Sequence, residues 1–182
     1  MEELISILNN EQIEYEIIEH SIPINTAQEG ADYFGIQIGQ TAPTLILKTE
    51  KGYYSLIISG DYGRVEFDSL KEILEIQEIK LAKPKEVEQV TGCRIGNVPL
   101  INPNIPTILD RELYRFPFVY GGTGLSQTTL KIQPQDIEKL LLKVMKMSLM
   151  KGFIAKCSTN GTRMLNSNKK SGGRGILFFC LN

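Results

Sequence analysis

The sequence predicts an α+β domain: a curved, mixed and mainly antiparallel sheet, barrel-like, covered by short helices. Three observations carry that expectation. Helix-periodic and strand-like segments alternate along the chain. Most connections between them have hairpin length, too short for the crossovers of a doubly wound parallel sheet. The 182 residues, 42% hydrophobic and 23% charged, suit one domain with a real core.

The elements follow in order. Residues 2–9 place Leu4, Ile5 and Leu8 on one helical face. Ile13–Glu19 (IEYEIIE) is rich in β-branched and aromatic residues and reads as a strand. Thr26-Ala-Gln-Glu29 is a capping box that opens a helix, and Gly35 can end it. Thr44–Thr49 and Tyr53–Ser59 form a hairpin about Glu50-Lys51-Gly52. Asp68 caps a short helix through Leu74, and Glu78–Leu81 returns as a strand. Pro84 starts a helix carrying Val87 and Val90, with Gly92 as its stop.

Residues 91–134 then alternate glycine-rich turns, Gly96–Pro99 and Gly121–Gly124, with the apolar runs Pro106–Leu109 and Pro117–Tyr120. Glycine permits close backbone approach and proline holds a chain rigid, so this backbone either surrounds something small or makes plain sheet turns. Gln127–Ile132 is a strand, and Pro134 opens an amphipathic helix with Ile137, Leu140, Leu141 and Val144 on its buried stripe. Residues 1–147 form the expected domain. Residues 148–182 are a basic tail of Ser, Asn, Gly and Lys without periodicity. That tail is an arm for RNA or a disordered, adventitious extension, and its apolar end, Ile176–Leu181, could dock or promote association.

Charge is unevenly placed. Residues 1–146 hold 14 Lys and Arg against all 21 Asp and Glu, whereas residues 147–182 carry only basic groups. Any RNA contact in the acidic body is therefore local. No apolar run approaches the ~20 residues of a membrane span. The acidic, amphipathic start resembles neither a signal nor a transit peptide. Cys93, Cys157 and Cys180 form no CxxC pair, and His20 has no second histidine. Neither a metal nor another cofactor is expected, and reduced thiols in the cytoplasm fit best.

Single residues leave alternatives open. His20 is an ordinary surface or capping residue or a base. Asp110 orients a ligand or caps the following RELY turn. Ser59-Gly60-Asp61 with Arg64 binds an anion or makes a turn. Nucleotide P-loop and dinucleotide fingerprints are absent, as is a Gly-x-Ser-x-Gly elbow.

Taken in order, HSIPINTAQEGADYFGI, PTLILKTEKGYYSLIISGD, KLAKPKEVEQVTGCRIGNVPL, PTILDREL and YGGTGLSQTTLKIQPQDIEKL carry a resemblance. Over about residues 1–145 the chain resembles the YbaK/prolyl-tRNA-editing family of aminoacyl-tRNA deacylases. The resemblance implies hydrolysis, in trans and without metal, of the ester that joins a mischarged amino acid to the 3′ end of tRNA. It implies a pocket for a small side chain, with aminoacyl-tRNA and an aminoacyl-tRNA synthetase as partners. Gly96 and Pro99 would shape the loop beside the ester, with Asp110 at the pocket's edge. His20, Thr26, Thr44, Gly121 and Gly122 would line it. Water and the terminal ribose hydroxyl would supply much of the remaining chemistry.

The chain departs from the family pattern at two places. Pro43 stands before Thr44-Leu45, where the family has its catalytic Lys, and Ile95 stands at the first Gly of the Gly-x-x-x-Pro loop. Lys48 lies five residues beyond Pro43, an odd offset that turns it to the other face of a strand. Lys80 is the alternative donor if its strand faces the pocket. Two functions from different classes follow: a deacylase that works without the family's lysine, or a catalytically silent module that binds an aminoacyl moiety, a tRNA end or a synthetase. A small-molecule binder without RNA is a third.

Overall fold

A computed structural model describes residues 2–141 and 176–179. The α+β class holds, with the strands distributed over two sheets. β1 (Tyr15–Glu19), β7 (Thr128–Ile132) and β6 (Val119–Gly122) form an antiparallel sheet in the order β1-β7-β6. The second sheet has the order β4-β2-β3-β5-β8. Its strands are β2 (Thr44–Thr49), β3 (Gly52–Ile57), β4 (Ile79–Leu81), β5 (Thr107–Asp110) and β8 (Ile176–Phe179). Among the described residues, an isolated bridge from Thr41 to Tyr120 links the segment before β2 to β6.

The β2–β3 hairpin turns where the sequence places it, with Thr49 opposite Gly52. The parallel pairing of β3 with β5 is the feature that local patterning does not show. It becomes feasible because α3 (Phe67–Leu74), β4 and α4 (Pro84–Thr91) fill the intervening crossover. Helix ends obey local chemistry. At α2 (Ala27–Phe34) the Thr26 hydroxyl accepts from the Glu29 N–H at 3.1 Å, and Gly35 closes the helix at φ 63°. Gly92 does the same for α4 at φ 70°. The expected Asp68 cap is not formed. Glu66 holds the cap position without a side-chain bond, and Asp68 lies within the first turn, paired with Lys71.

Three apolar clusters hold the layers. The largest joins Leu4 and Leu8 of α1 (Glu2–Asn10) to Leu109, Leu113, Leu130, Ile132 and Ile137. Ile137 belongs to a helical stretch, 134–141, and shares this cluster with Leu130 and Ile132 of β7 and Leu109 of β5. A second cluster seats Leu70 and Leu74 of α3 on Leu47, Leu56 and Ile108. The third packs Val87 of α4 against Ile46, Ala82, Val98 and Ile105. Each fully buried side chain of this kind stabilises the fold by roughly 1.5–3 kcal/mol. The third cluster matters most for function, because it fixes α4 and the loop after it beside β2.

The expected boundary near residue 147 and residues 148–175 of the tail lie outside the described residues. The apolar end of the tail docks, pairing antiparallel with β5 from Thr107 opposite Phe179 to Asp110 opposite Ile176. No helix among the described residues is long and apolar enough to cross a membrane.

Candidate functional site

Where the two sheets meet, the start of α2, the start of β2, β4, α4 and β6–β7 enclose a cavity of about 320 Å³. Local chemistry fixes each wall. The capping box holds the first wall, since the Glu29 carboxylate accepts from the N–H groups of Asn25 (2.8 Å) and Thr26 (3.3 Å). Thr41, Ala42 and Pro43 form the floor. The Ala42 N–H donates to the Tyr120 carbonyl at 2.7 Å, and the Pro43 carbonyl accepts from the Ile58 N–H at 3.2 Å.

The glycine-rich segment forms the facing wall. Gly96 has φ 91°, and a Cβ there would lie 3.2 Å from the Asn25 carbonyl oxygen. A Cβ on Gly122 would lie 2.3 Å from the Val98 carbonyl oxygen. Only glycine lets β6 and the 96–100 loop approach so closely, and the Leu100 N–H seals the contact by donating to the Gly122 carbonyl at 2.8 Å. Phe34 and Tyr120 stack at 5.2 Å between ring centroids and complete the enclosure. Of the two readings of residues 91–134, backbone arranged around a cavity is the one that the geometry supports.

No Asp, Glu, Lys, Arg or His is among the described residues that line this cavity. Its polarity comes from backbone, Asn25, the Tyr120 phenol and threonine hydroxyls. Four of those hydroxyls are engaged. Thr26 accepts from Glu29, Thr41 donates to the Ile38 carbonyl at 2.7 Å, Thr128 pairs with Thr123, and Thr129 meets His20. Thr44 differs: its Oγ1 is buried and has no partner in the described protein. A buried unpaired hydroxyl costs about 1–3 kcal/mol, so a position that retains one points to a ligand.

The expected site residues divide accordingly. Thr26, Thr44, Gly96, Gly121 and Gly122 are brought together on the cavity. His20 stands behind it, through Thr129. Pro99, Asp110 and Lys80 are not on its lining. Val98 takes the wall, and the Pro99 carbonyl turns away to accept from Asn102 Nδ2 at 2.7 Å. Asp110 is completely buried. It accepts from the Ser59 N–H at 3.1 Å and, as a cap, from the Glu112 N–H at 3.0 Å. Lys80 lines a separate surface hollow with Lys48 and Lys71, whereas its neighbour Leu81 reaches the cavity. Strand alternation accounts for that split.

Lys48 forms an ion pair with Glu86. The hydrogen bond that Lys48 donates to Glu86 raises the Lys48 pKa, and the same bond, with one from the Lys83 N–H, lowers that of Glu86. The lysine is thereby committed to α4. The Ser59–Asp61 turn binds Arg115 in place of an anion, with Asp61 Oδ1 at 2.9 Å from the guanidinium. Sequence reasoning missed Thr41, Phe34, Tyr120 and Thr129. Phe34 and Tyr120 looked like ordinary apolar strand and helix positions, and no local pattern distinguishes them from core.

The fold and this uncharged cavity define an editing-type domain, and comparison with known proteins gives the family. Residues 22–140 match the model of the aminoacyl-tRNA editing domain. The chain belongs to that family. Over 118 residues it is 28% identical to the proline–tRNA ligase of Thermosipho melanesiensis, covering 64% of this chain and 21% of the ligase. It is 30% identical over 118 residues to that of Fervidobacterium nodosum, covering 64% of this chain and 20% of the ligase. The chain thus spans about a fifth of the length of these curated relatives. Among solved structures, the hypothetical protein APE2540 superposes with a TM-score of 0.70 at 28% identity, covering 75% of this chain and 92% of that one. A protein provisionally assigned as a trans-editing enzyme for prolyl tRNA synthetase gives 0.66 at 26% identity, covering 76% and 89%.

Proposed function

We infer that this chain is an aminoacyl-tRNA deacylase that clears a small, uncharged amino acid from the 3′ end of a mischarged tRNA, and that it does so without a protein cation at the reacting ester. The observation that carries this is the Thr44 hydroxyl, buried and unpartnered on a neutral cavity of about 320 Å³. A volume of that size accepts an aminoacyl group together with part of the terminal ribose.

The Thr44 hydroxyl and the backbone about Gly96 supply dipoles to the ester carbonyl as negative charge develops on its oxygen. Preorganised donors of this kind contribute factors of about 10²–10³ each. With no Asp, Glu, Lys, Arg or His on the described lining, proton movement falls to the substrate. A water oxygen attacks the ester carbon with the free ribose hydroxyl as its hydrogen-bond partner. The carbon–oxygen bond to the ribose then breaks, and the departing ribose oxygen takes the proton. The products are the free amino acid and deacylated tRNA. Pro43 contributes shape only, because it has neither charge nor N–H.

The same neutrality favours a second reading, a silent module that holds an aminoacyl-tRNA end without cleaving it. Deacylation of a panel of mischarged tRNAs separates the two. Release of any amino acid above the spontaneous rate supports the enzyme. Binding of charged tRNA with no release from any member supports the silent module.

A further inference from the structure

His20 is the chain's one histidine, is only 6% exposed, and has no part in the chemistry above. Its ring lies between two oxygens: Nδ1 is 2.6 Å from the Ile22 carbonyl and Nε2 is 3.2 Å from Thr129 Oγ1. A carbonyl oxygen can only accept, so Nδ1 carries the proton. In the neutral ring Nε2 is then an acceptor, and the Thr129 hydroxyl must donate to it. Thr129 lines the cavity, and its only hydroxyl proton is committed to His20. Toward a ligand the Thr129 oxygen therefore acts as an acceptor. Tyr33 and Phe34 hold the imidazole edge-on, at 5.6 and 6.3 Å between ring centroids, so the ring is fixed in this orientation.

We propose that His20 is a positioning residue that sets Thr129 as a hydrogen-bond acceptor for the substrate's α-amino group, and so fixes which way the aminoacyl ester lies in the cavity. This rests on the functional reading above and extends it. Thr44, on β2, takes the ester end. Thr129, on β7, takes the amino end, where an ammonium or amine must donate. The pair gives a neutral pocket a direction without using a charge. A substrate whose amino group is blocked or missing loses the Thr129 bond and keeps the Thr44 bond.

Two measurements test this. Nitrogen NMR of the imidazole-labelled protein, recorded at a pH where the ring is neutral, should show Nδ1 protonated and Nε2 bare. The opposite tautomer overturns the proposal whatever the protein's activity. Binding should then be compared for two uncleavable probes, 3′-alanylamino-3′-deoxyadenosine and its propionyl counterpart, which lacks the amino group. Wild type should prefer the alanyl probe at least about tenfold. Thr129→Val should erase that preference while binding the propionyl probe as wild type does. His20→Asn keeps a donor for the Ile22 carbonyl but loses the acceptor for Thr129, so it should melt near wild type and show a weakened preference. Equal binding of the two probes by wild type, or a preference that survives Thr129→Val, overturns the orientation and leaves the deacylase reading standing. Binding of neither probe overturns both.

Discussion

At the scale of single residues, Thr44 and Asp110 are both polar groups held from solvent, and they differ in their partners. Thr44 Oγ1 is buried without a partner, whereas the buried Asp110 carboxylate accepts two backbone N–H groups. Thr44→Val removes a polar atom that the folded protein leaves unpaired. Its melting temperature should match or exceed wild type while kcat/KM for deacylation falls about tenfold or more, measured in parallel by calorimetry and single-turnover kinetics. Asp110→Ala should do the reverse. It orphans the Ser59 and Glu112 N–H groups, and denaturant melts should show a loss of about 2 kcal/mol or more. The sequence offered Asp110 both roles. It could not decide between them because Ser59 lies far away in the chain and meets Asp110 only through the parallel β3–β5 pairing. Thr44 was legible as a pocket residue through its motif, but its missing partner is a property of packing.

At the scale of elements, the cavity depends on where α4 and the 96–100 loop are anchored. Glu86 closes the start of α4 by accepting from the Lys83 N–H at 2.8 Å and binding Lys48 on β2. Lys48, which strand alternation turns away from the face of Pro43, is thus an anchor for the wall. Its hydrogen bond is the largest influence holding the Glu86 carboxyl below its usual range. A group with a lowered folded pKa contributes stability above its unfolded value, about 4.3, and loses it as pH falls through the folded value. Glu86→Gln should therefore be less stable than wild type near neutrality. The difference should close as pH drops below about 4, as thermal melts across pH would show. Helix caps and the β2–β3 hairpin were legible because their signals are local: Thr26 with Glu29, Gly35, Gly92 and Gly52. The side of β4 that faces the cavity was not. A three-residue strand has too little pattern to say whether Lys80 or Leu81 points inward.

At the scale of the whole molecule, the cavity lies where the two sheets meet, beside the Thr41–Tyr120 bridge. Its mouth is apolar as well as uncharged: Leu81, Ile95 and Leu125 line it and are about half exposed. Among the described residues the three apolar clusters draw on residues 4–141. β8 covers the outer edge of β5. Removing residues 149–182 should leave a cooperative melt, as calorimetry would show. Uncovering that edge should also increase self-association, seen as a concentration-dependent shift in size-exclusion elution. The order of motifs made the α+β class and the family visible in the sequence. The division into two sheets was hidden, because it arises from long-range pairings, β3 with β5 and β1 with β7, that no local window contains.

The claim that joins these scales is that a neutral cavity, with Thr44 as its free hydroxyl, cleaves an aminoacyl ester without a protein cation. Single-turnover deacylation of tRNAs carrying small neutral side chains, compared with tRNAs carrying aspartate or lysine, tests it most directly. Faster-than-spontaneous release of a small neutral amino acid, with the charged ones left intact because the lining offers no counter-charge, is the predicted result. Release that favours a charged side chain, or none from any tRNA the protein binds, would contradict the account.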